Sequence, residues 1–112
     1  MYNPISFFQA GNIVGFDWDD ANREKCRKHG ISIETIEDLF GKEIDVRPDV
    51  AHSGTEQRFM AVSTDAKNRP IFLVFTLRQR GDSMLIRPIS ARHMHRQEME
   101  RYEKTAPDSK DR

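Results

Sequence analysis

The stretch MLIRPISARHMHRQEMERY, Met84–Tyr102, decides how the second half of the chain folds. Met84 to Ile89 is largely apolar and predicts a strand, and Ala91 to Glu103 predicts the helix that follows it. Ser90 stands between them and is a good helix N-cap, because its hydroxyl can accept a hydrogen bond from a free backbone N–H in the first turn. The cations near this expected strand-to-helix corner are Arg87, Arg92, His93, His95 and Arg96. Such a corner suits an anionic partner such as a phosphodiester.

The length and composition predict one globular domain. The chain has 112 residues, of which 32% are charged and 37% hydrophobic, and no apolar run approaches the ~20 residues needed to span a bilayer. We expect residues 1–12 to be a flexible leader rather than a signal peptide, residues 13–104 to form the domain, and residues 105–112 to be disordered. Cys26 is the single cysteine, which excludes an intrachain disulfide and a Cys-based metal cluster. These features predict a cytoplasmic protein.

The charges are divided unequally between the two halves of the chain. Residues 1–57 hold 6 Lys and Arg against 11 Asp and Glu, whereas residues 58–112 hold 12 Lys and Arg against 7 Asp and Glu. The formal net charge of zero argues against a simple nucleic-acid binder, but the arginines of the second half offer groups that pair bidentately with phosphate. Two interpretations stay open: a basic face that binds a partner, and two halves that neutralise each other across the fold.

Hydrophobic periodicity and end signals predict the element order β-α-α-β-β-β-β-α. The expected strands are Ile13–Phe16, Glu43–Arg47, Gln57–Ser63, Ile71–Thr76 and Met84–Ile89, and the expected helices are Asp19–His29, a second one capped by Ser32 and ended by Gly41, and Ala91–Glu103. Arg78–Ser83 is interpreted as a Gly-Asp turn, and short turns between consecutive strands imply an antiparallel meander. The predicted fold class is α+β: an antiparallel sheet of four to five strands with two N-terminal helices and one C-terminal helix.

Two details of the strands predict their places in the sheet. Ile71–Thr76, IFLVFT, is continuously apolar, which is typical of a central strand buried on both faces. Pro88 has no N–H to donate to a ladder, so the strand around it is expected to lie at an edge or to contain a bulge.

Four segments together resemble the BrnT family of type II toxin–antitoxin systems. They are FDWDDANREKCRKHGI at 16–31, QRFMAVS at 57–63, IFLVFTLR at 71–78 and LIRPISARHMHRQEMERYEK at 85–104. The W-D, N and K-H-G signature, followed by I-S-A-R and a later E-x-x-x-Y, is fairly specific in combination, and the likeness covers Phe16 to Lys104. Cys26 departs from the family, which tends to have an aliphatic residue at that place, and the leader before Phe16 is longer than usual.

The resemblance implies a RelE-like endoribonuclease toxin that inhibits translation and growth and is neutralised by a cognate antitoxin. It also implies that this antitoxin is BrnA-like, with a ribbon–helix–helix DNA-binding part, so that DNA is contacted only through it and a heterotetramer is one expected assembly. The helical hairpin of this chain agrees, because its ETIED segment at 34–38 is acidic and lacks a basic base-reading face. The alternative class is a non-catalytic interaction module that binds RNA or an acidic protein partner.

Metal-independent RNA cleavage requires a base for the 2′-hydroxyl, cations for the charge on the pentavalent phosphorus, and an acid for the leaving 5′-oxygen. Arg92 is our first candidate for stabilising that charge, because the expected helix N-terminus beside it also attracts anions. A structural ion pair of Arg92 with Asp17 or Asp19 is the competing interpretation. The other candidate catalytic residues are Lys28, His29, Arg58 and Arg78.

Lys28 and His29 are candidates because they match the K-H-G of the family. The competing interpretation is that His29 only ends its helix, where a cation is favourable, and that Lys28 is solvated. Arg58 starts a strand, and Arg78 follows the central strand.

The candidate substrate-binding residues are Thr76, Arg80 and Tyr102. Thr76, Arg78 and Arg80 are spaced two apart, so in extended geometry they share one face, although a solvated strand end also explains Arg80. Tyr102 follows Arg92 by ten residues, about 15 Å along a helix, so it is either a core residue or a second contact point.

A metal or cofactor is not expected. His93 and His95 are two apart, and on the expected helix their side chains would point in nearly opposite directions, so they could not chelate one ion together. The sequence offers no other set of His, Cys or carboxylate residues with ligand spacing.

Overall fold

The computed structural model describes residues 13–42, 44–52 and 54–104. Its elements are β1 (Ile13–Phe16), α1 (Asp20–Arg27), α2 (Ile33–Leu39), β2 (Asp45–Pro48), a 3₁₀ turn (Val50–His52), β3 (Arg58–Thr64), β4 (Pro70–Arg80), β5 (Ser83–His93) and α3 (Arg96–Lys104). The predicted leader, 1–12, and the predicted tail, 105–112, lie outside the described residues. The α+β class is confirmed.

The five strands form one sheet in the order β1-β5-β4-β3-β2. Strands β2 to β5 pair antiparallel with their neighbours, which confirms the predicted meander, and β4 is the middle strand, as predicted. The prediction of a purely antiparallel sheet is wrong at one edge, because β1 pairs with β5 in parallel. The two α-helices that lie between β1 and β2 carry the chain across the sheet and make this parallel pairing possible.

Ser32 caps α2, as predicted, whereas Asp19, expected as the first residue of its helix, is the N-cap of α1. The carboxylate of Asp19 accepts a hydrogen bond from the backbone N–H of Asn22 at 3.1 Å, and the Asn22 side chain accepts one from the Asp19 N–H at 2.7 Å. Ser32 caps α2 by accepting from the N–H of Thr35. Gly30, with φ +80°, takes the left-handed conformation that ends the α1 region. The two N-caps and the glycine between the helices therefore define where each helix of the hairpin begins and where the first one ends.

The core lies between these two helices and one face of the sheet. Phe75 is fully buried at its centre, with ring centroids 5.1 Å from Phe40 and 5.4 Å from Phe59. Cys26 is fully buried in the same cluster, so its thiol packs in the core. Phe72 on the other face of β4 is only partly buried, so the prediction that this strand is buried on both faces is wrong.

The predicted strand-to-helix corner at Ser90 is wrong. Strand β5 continues to His93, and Ser90, Ala91 and Arg92 pair with Val74, Leu73 and Phe72 of β4. Ala91 points into the core, so the ladder and burial override the helix propensity of this segment. The helix begins only at Arg96.

The hairpin turn between β4 and β5 is shorter than predicted. Arg78 lies inside β4, which runs to Arg80, and the turn consists of Gly81 and Asp82. Gly81 has φ +60°, which a two-residue hairpin with glycine at its first position requires.

Pro88 lies at a bulge, which confirms one of the two predicted alternatives. β5 lies between β1 and β4, so it is not an edge strand. Val74 pairs with Ser90 whereas its neighbour Phe75 pairs with Pro88, so Ile89 is an extra residue. The Pro88 carbonyl accepts a hydrogen bond from the Asn22 side chain at 2.8 Å, which fastens α1 to the bulge.

The turn between β3 and β4 is organised by Asp65. Its carboxylate accepts hydrogen bonds from the backbone N–H groups of Lys67 and Arg69 and from the Arg69 guanidinium, at 2.9–3.0 Å. Burial raises the pKa of Asp65, but these donors outweigh it and lower the pKa to about 2.

Among the described residues, none of the three helices combines the length and apolar character needed to cross a membrane.

The alternation along β4 predicts unequal costs for two phenylalanine substitutions. Phe75→Ala should lower the free energy of unfolding by about 3–5 kcal/mol, because it empties the centre of the core. Phe72→Ala, on the same strand but the other face, should cost clearly less because that ring is partly exposed. Urea unfolding of both variants measures the difference, and equal losses would contradict the assignment of faces.

Asp65 also predicts a pH dependence of stability. Its pKa in the folded chain, about 2, lies below the unfolded value of 3.8, so its contribution is complete above pH ~4 and is lost as the pH falls toward 2. Asp65→Asn should therefore reduce stability at pH 7 and flatten the stability curve between pH 4 and 2. Urea unfolding at several pH values measures both effects, and an unchanged slope in the variant would contradict this role.

Candidate functional site

Six arginines lie on the sheet face opposite α1 and α2. Side chains of directly paired residues share a face, as do residues two apart in one strand, so the strand register assigns each side chain to a face. The arginines that this register places together are Arg47, Arg58, Arg78, Arg80, Arg87 and Arg92. We call this surface the arginine face. It gathers cations from β2, β3, β4 and β5 that are far apart in the sequence.

One end of the arginine face is open and holds a cluster around Thr76. Arg58 and Arg87 pair with Thr76 from the two neighbouring strands, so all three form one row. Adjacent strands are about 4.8 Å apart and alternate residues in a strand about 7 Å, which brings Arg78 close to the same row. Arg80 follows at the exposed end of β4.

The arginines of this open end differ in their accessibility. Arg78 is about half exposed, and its Nε donates to the carboxylate of Glu56 at 2.6 Å. The side chain of Arg87 is only 15% exposed and pairs with Asp19 at 2.9 Å and Asp17 at 3.7 Å. Arg87 therefore links the sheet to the start of α1, whereas Arg78 remains accessible to a solute.

The other end of the arginine face is crossed by α3. The row beneath this helix consists of Asp45, Val62, Phe72 and Arg92, paired across four strands. Two nitrogens of the Arg92 guanidinium donate to the two carboxylate oxygens of Glu98, at 2.9 and 2.5 Å. The guanidinium also lies 5.0 Å from the centroid of the Phe72 ring. The hydrogen bonds with Glu98 raise the pKa of Arg92, and those with Arg92 lower the pKa of Glu98.

Arg47 and Tyr102 connect the same helix to the edge strand β2. The buried Arg47 guanidinium donates to the Tyr102 carbonyl at 2.9 Å and lies 3.5 Å from the centroid of the Tyr102 ring. It also pairs with Asp45 at 3.1 Å. Burial raises the pKa of the Tyr102 phenol, and the Asp45 carboxylate adds to this effect. Tyr102 is thus a packing residue of α3 at the β2 side of the face.

The structure brings together some of the candidate residues and separates others. Arg58, Arg78, Arg92, Arg80 and Thr76 share the arginine face. Lys28 and His29 follow the last residue of α1, a helix that packs on the opposite face of the sheet, and both are exposed. The structure therefore does not join Lys28 and His29 to the arginines.

Arg92 lies on the arginine face for a different reason from the one that the sequence suggested. It belongs to β5, not to a helix N-terminus, so the argument from free helix N–H groups is wrong. Its carboxylate partner is Glu98, whereas Asp17 and Asp19 pair with Arg87. The ~15 Å helical spacing between Arg92 and Tyr102 also does not apply, because only Tyr102 is helical.

Thr76 lies on the arginine face, but unlike Arg78 it is not accessible to solvent. The residue is 1% exposed, and its hydroxyl donates to the backbone carbonyl of Gln57 at 2.6 Å. This hydrogen bond holds the start of β3 against β4. The structure gives Thr76 a positioning role beneath the arginines.

Sequence reasoning missed Arg47 and the two acidic partners Glu56 and Glu98. The alternation of β2 contained a signal for Arg47, since it lies two residues from Asp45 in a predicted strand. Glu56 lies 22 residues before Arg78, and Glu98 lies in a different element from Arg92, so only the folded chain shows these pairs.

His93 and His95 do not belong to one helix. His93 ends β5, with its Nε2 3.5 Å from the Asp65 carboxylate, and His95 precedes α3, so the premise that both are helical is wrong. Within residues 13–42, 44–52 and 54–104, no three His, Cys, Asp or Glu side chains are grouped so that they could hold a metal ion.

The comparisons with known proteins agree with the family suggested by the sequence. Residues 18–98 match the model of a family described as the ribonuclease toxin, BrnT, of type II toxin-antitoxin systems. This match spans more than half of the 112 residues. No curated protein matches the chain.

The buried hydroxyl of Thr76 predicts a stability effect that separates positioning from phosphate contact. Thr76→Val keeps the shape but leaves the Gln57 carbonyl without this donor, which should cost about 1–3 kcal/mol of unfolding free energy. Thr76→Ser retains the hydroxyl and is the matched control. Urea unfolding measures both, and a Thr76→Val variant as stable as wild type would contradict the positioning role.

Proposed function

The chain belongs to the BrnT family of ribonuclease toxins of type II toxin–antitoxin systems, and we propose that its arginine face binds and cleaves RNA. Membership in the family implies an RNA substrate and an antitoxin partner. The proposal adds the place on the molecule where the RNA binds and the residues that act on it.

The observation that carries this proposal is the gathering of six arginines from four strands on a single face, of which Arg58, Arg78, Arg80 and Arg92 remain at least partly exposed. A guanidinium is always charged and presents a planar fork of donors that fits two oxygens of a phosphate. A rigid sheet holds such forks at fixed spacing, which preorganises them for a charged transition state. The neutral net charge of the chain is compatible with this, because much of the acidic charge lies in the first half of the sequence.

The two ends of the face are suited to different phosphates of one RNA strand. Phe72 and Thr76, which mark the rows of Arg92 and of Arg58, are four residues apart in β4, or about 14 Å. This backbone spacing suits two successive phosphates of one strand. We place Arg58 and Arg78 at one phosphate and Arg92 at another, with Arg80 as a further contact at the open end.

The arginines would stabilise the charge that develops during transesterification. Water takes the proton of the 2′-hydroxyl, and the 2′-oxygen attacks the adjacent phosphorus to form a 2′,3′-cyclic phosphate. The bond to the 5′-oxygen breaks, that oxygen takes a proton from water, and negative charge builds on the non-bridging oxygens in between. Guanidinium groups aimed at these oxygens lower the barrier, and no metal is needed for this contribution. Arginine does not serve as the base at neutral pH, because its guanidinium stays protonated. Lys28 and His29 lie outside this proposed site.

We further propose that the antitoxin neutralises the chain by occupying the arginine face. A ribbon–helix–helix, BrnA-like antitoxin would bring the DNA-binding part of the complex, and its dimeric nature would give a heterotetramer. Carboxylates of such a partner would pair with the same forks that bind phosphate. Cleavage of RNA by the free toxin would inhibit translation and growth.

The proposal predicts that removing single arginines from the face strongly reduces RNA cleavage. Arg58→Ala, Arg78→Ala and Arg92→Ala should each lower the RNA cleavage rate on the order of 10²-fold, the typical effect of deleting one donor to a charged transition state. The measurement is cleavage of total RNA by the purified, partner-free chain in the presence of a chelator. Growth inhibition on expression should fall in parallel.

Arg23→Ala is the matched control for these variants. Arg23 is an exposed residue of α1 and carries the same charge away from the arginine face. It should cleave RNA like wild type, and circular dichroism should show that all variants are folded. Full activity in a folded Arg92→Ala variant would remove Arg92 from the site. Binding of RNA without cleavage by the wild type would instead indicate a non-catalytic interaction module.

A further inference from the structure

We propose that Glu98 of α3 is an internal substitute for an RNA phosphate, so that the arginine face is partly inhibited by its own C-terminal helix. The inference rests on the proposed function of this face and deepens it, because it names a contact that regulates RNA binding. RNA would bind fully only when one of its phosphates replaces the Glu98 carboxylate on Arg92.

The geometry of the Arg92–Glu98 pair supports this substitution. The two carboxylate oxygens lie 2.9 and 2.5 Å from two different guanidinium nitrogens, a fork-to-fork arrangement that a phosphate can also make. Both side chains remain partly exposed, Arg92 by 42% and Glu98 by 29%. A phosphate can therefore reach the pair from solution, but it cannot use the Arg92 fork while Glu98 occupies it.

The helix that carries Glu98 depends on a few contacts with the sheet. α3 has nine residues, none of them fully buried, and isolated helices shorter than ~12 residues are marginal in water. At one end Glu98 pairs with Arg92, and near the other end Arg47 binds the carbonyl and ring of Tyr102. α3 has few other contacts that hold it on the sheet. Loss of either attachment should therefore loosen it strongly.

Competition between Glu98 and RNA is favourable for the RNA. A partly exposed ion pair contributes little to stability, because water and salt screen it. A polyanion that is already bound by Arg58 and Arg78 presents its next phosphates at high local concentration near Arg92. Displacement of Glu98 is therefore expected on RNA binding. Breaking the Glu98–Arg92 pair makes the free energy of RNA binding less favourable.

The decisive comparison is between Glu98→Gln and Glu100→Gln. Both substitutions remove one negative charge from α3, but Glu100 is exposed and has no role in the Arg92 pair. Binding is measured by fluorescence anisotropy with a 2′-O-methyl RNA oligonucleotide, which lacks the attacking hydroxyl and is not cleaved. Glu98→Gln should lower Kd by up to about fivefold relative to Glu100→Gln, the range that partly exposed ion pairs allow.

The same two substitutions in an Arg92→Ala background test the mechanism. Without Arg92 the Glu98 carboxylate has nothing to mask, so the advantage of Glu98→Gln over Glu100→Gln should disappear. Amide hydrogen exchange within α3 is a readout that does not depend on RNA, and it should be faster in Glu98→Gln than in Glu100→Gln.

The outcomes separate this inference from the proposed function. Equal Kd values for Glu98→Gln and Glu100→Gln, with weaker binding by Arg58→Ala, would overturn the inference and leave the RNA-binding face intact. An advantage of Glu98→Gln that persists without Arg92 would also overturn it. Failure of every folded variant to bind RNA would overturn both the inference and the proposed function.

Discussion

The long antiparallel pairing of β4 with β5 is the constraint on which the rest of the structure depends. It runs from Ile71 opposite His93 to Arg80 opposite Ser83, in the middle of the sheet. On one side it supplies Leu73, Phe75 and Ala91 to the core, and on the other it supplies the base of the arginine face. Stability and the proposed chemistry therefore share one backbone ladder, because each strand alternates between them.

The helices of the first half were predictable because their signals are local. Asp19 and Ser32 cap their helices, and Gly30 separates them, without help from distant residues. The strand-to-helix corner at Ser90 failed because its outcome was decided by a distant partner, β4. Local propensity favoured a helix through the ISARH segment, whereas pairing with β4 and the burial of Ala91 favoured a strand. Cross-strand registration leaves no trace in a single window of sequence.

The candidate site was predictable in its residue type more than in its arrangement. An excess of arginine in the second half indicated an anion-binding surface, and spacing of two placed Thr76, Arg78 and Arg80 on one face. What joins them to Arg58 and Arg92 is the register of three strands, which turn lengths alone do not determine. The acidic partners Glu56 and Glu98 were not predictable either, because their pairing depends on how the chain folds back onto the sheet. Lys28 and His29 were attractive for their chemistry, yet they follow a helix on the other face of the sheet.

The bulge at Ile89 has a consequence that reaches beyond its own turn of backbone. Arg87 and Arg92 are five positions apart, and in a regular strand an odd spacing sends two side chains to opposite faces. The additional residue reverses the parity, so both arginines emerge on the same side while Ala91 faces inward. The count of residues in this segment is thus a structural parameter in itself. A homologue that lost or gained one residue here would exchange its interior and exterior along the remainder of β5, so selection should act on the length of this segment as strictly as on its composition.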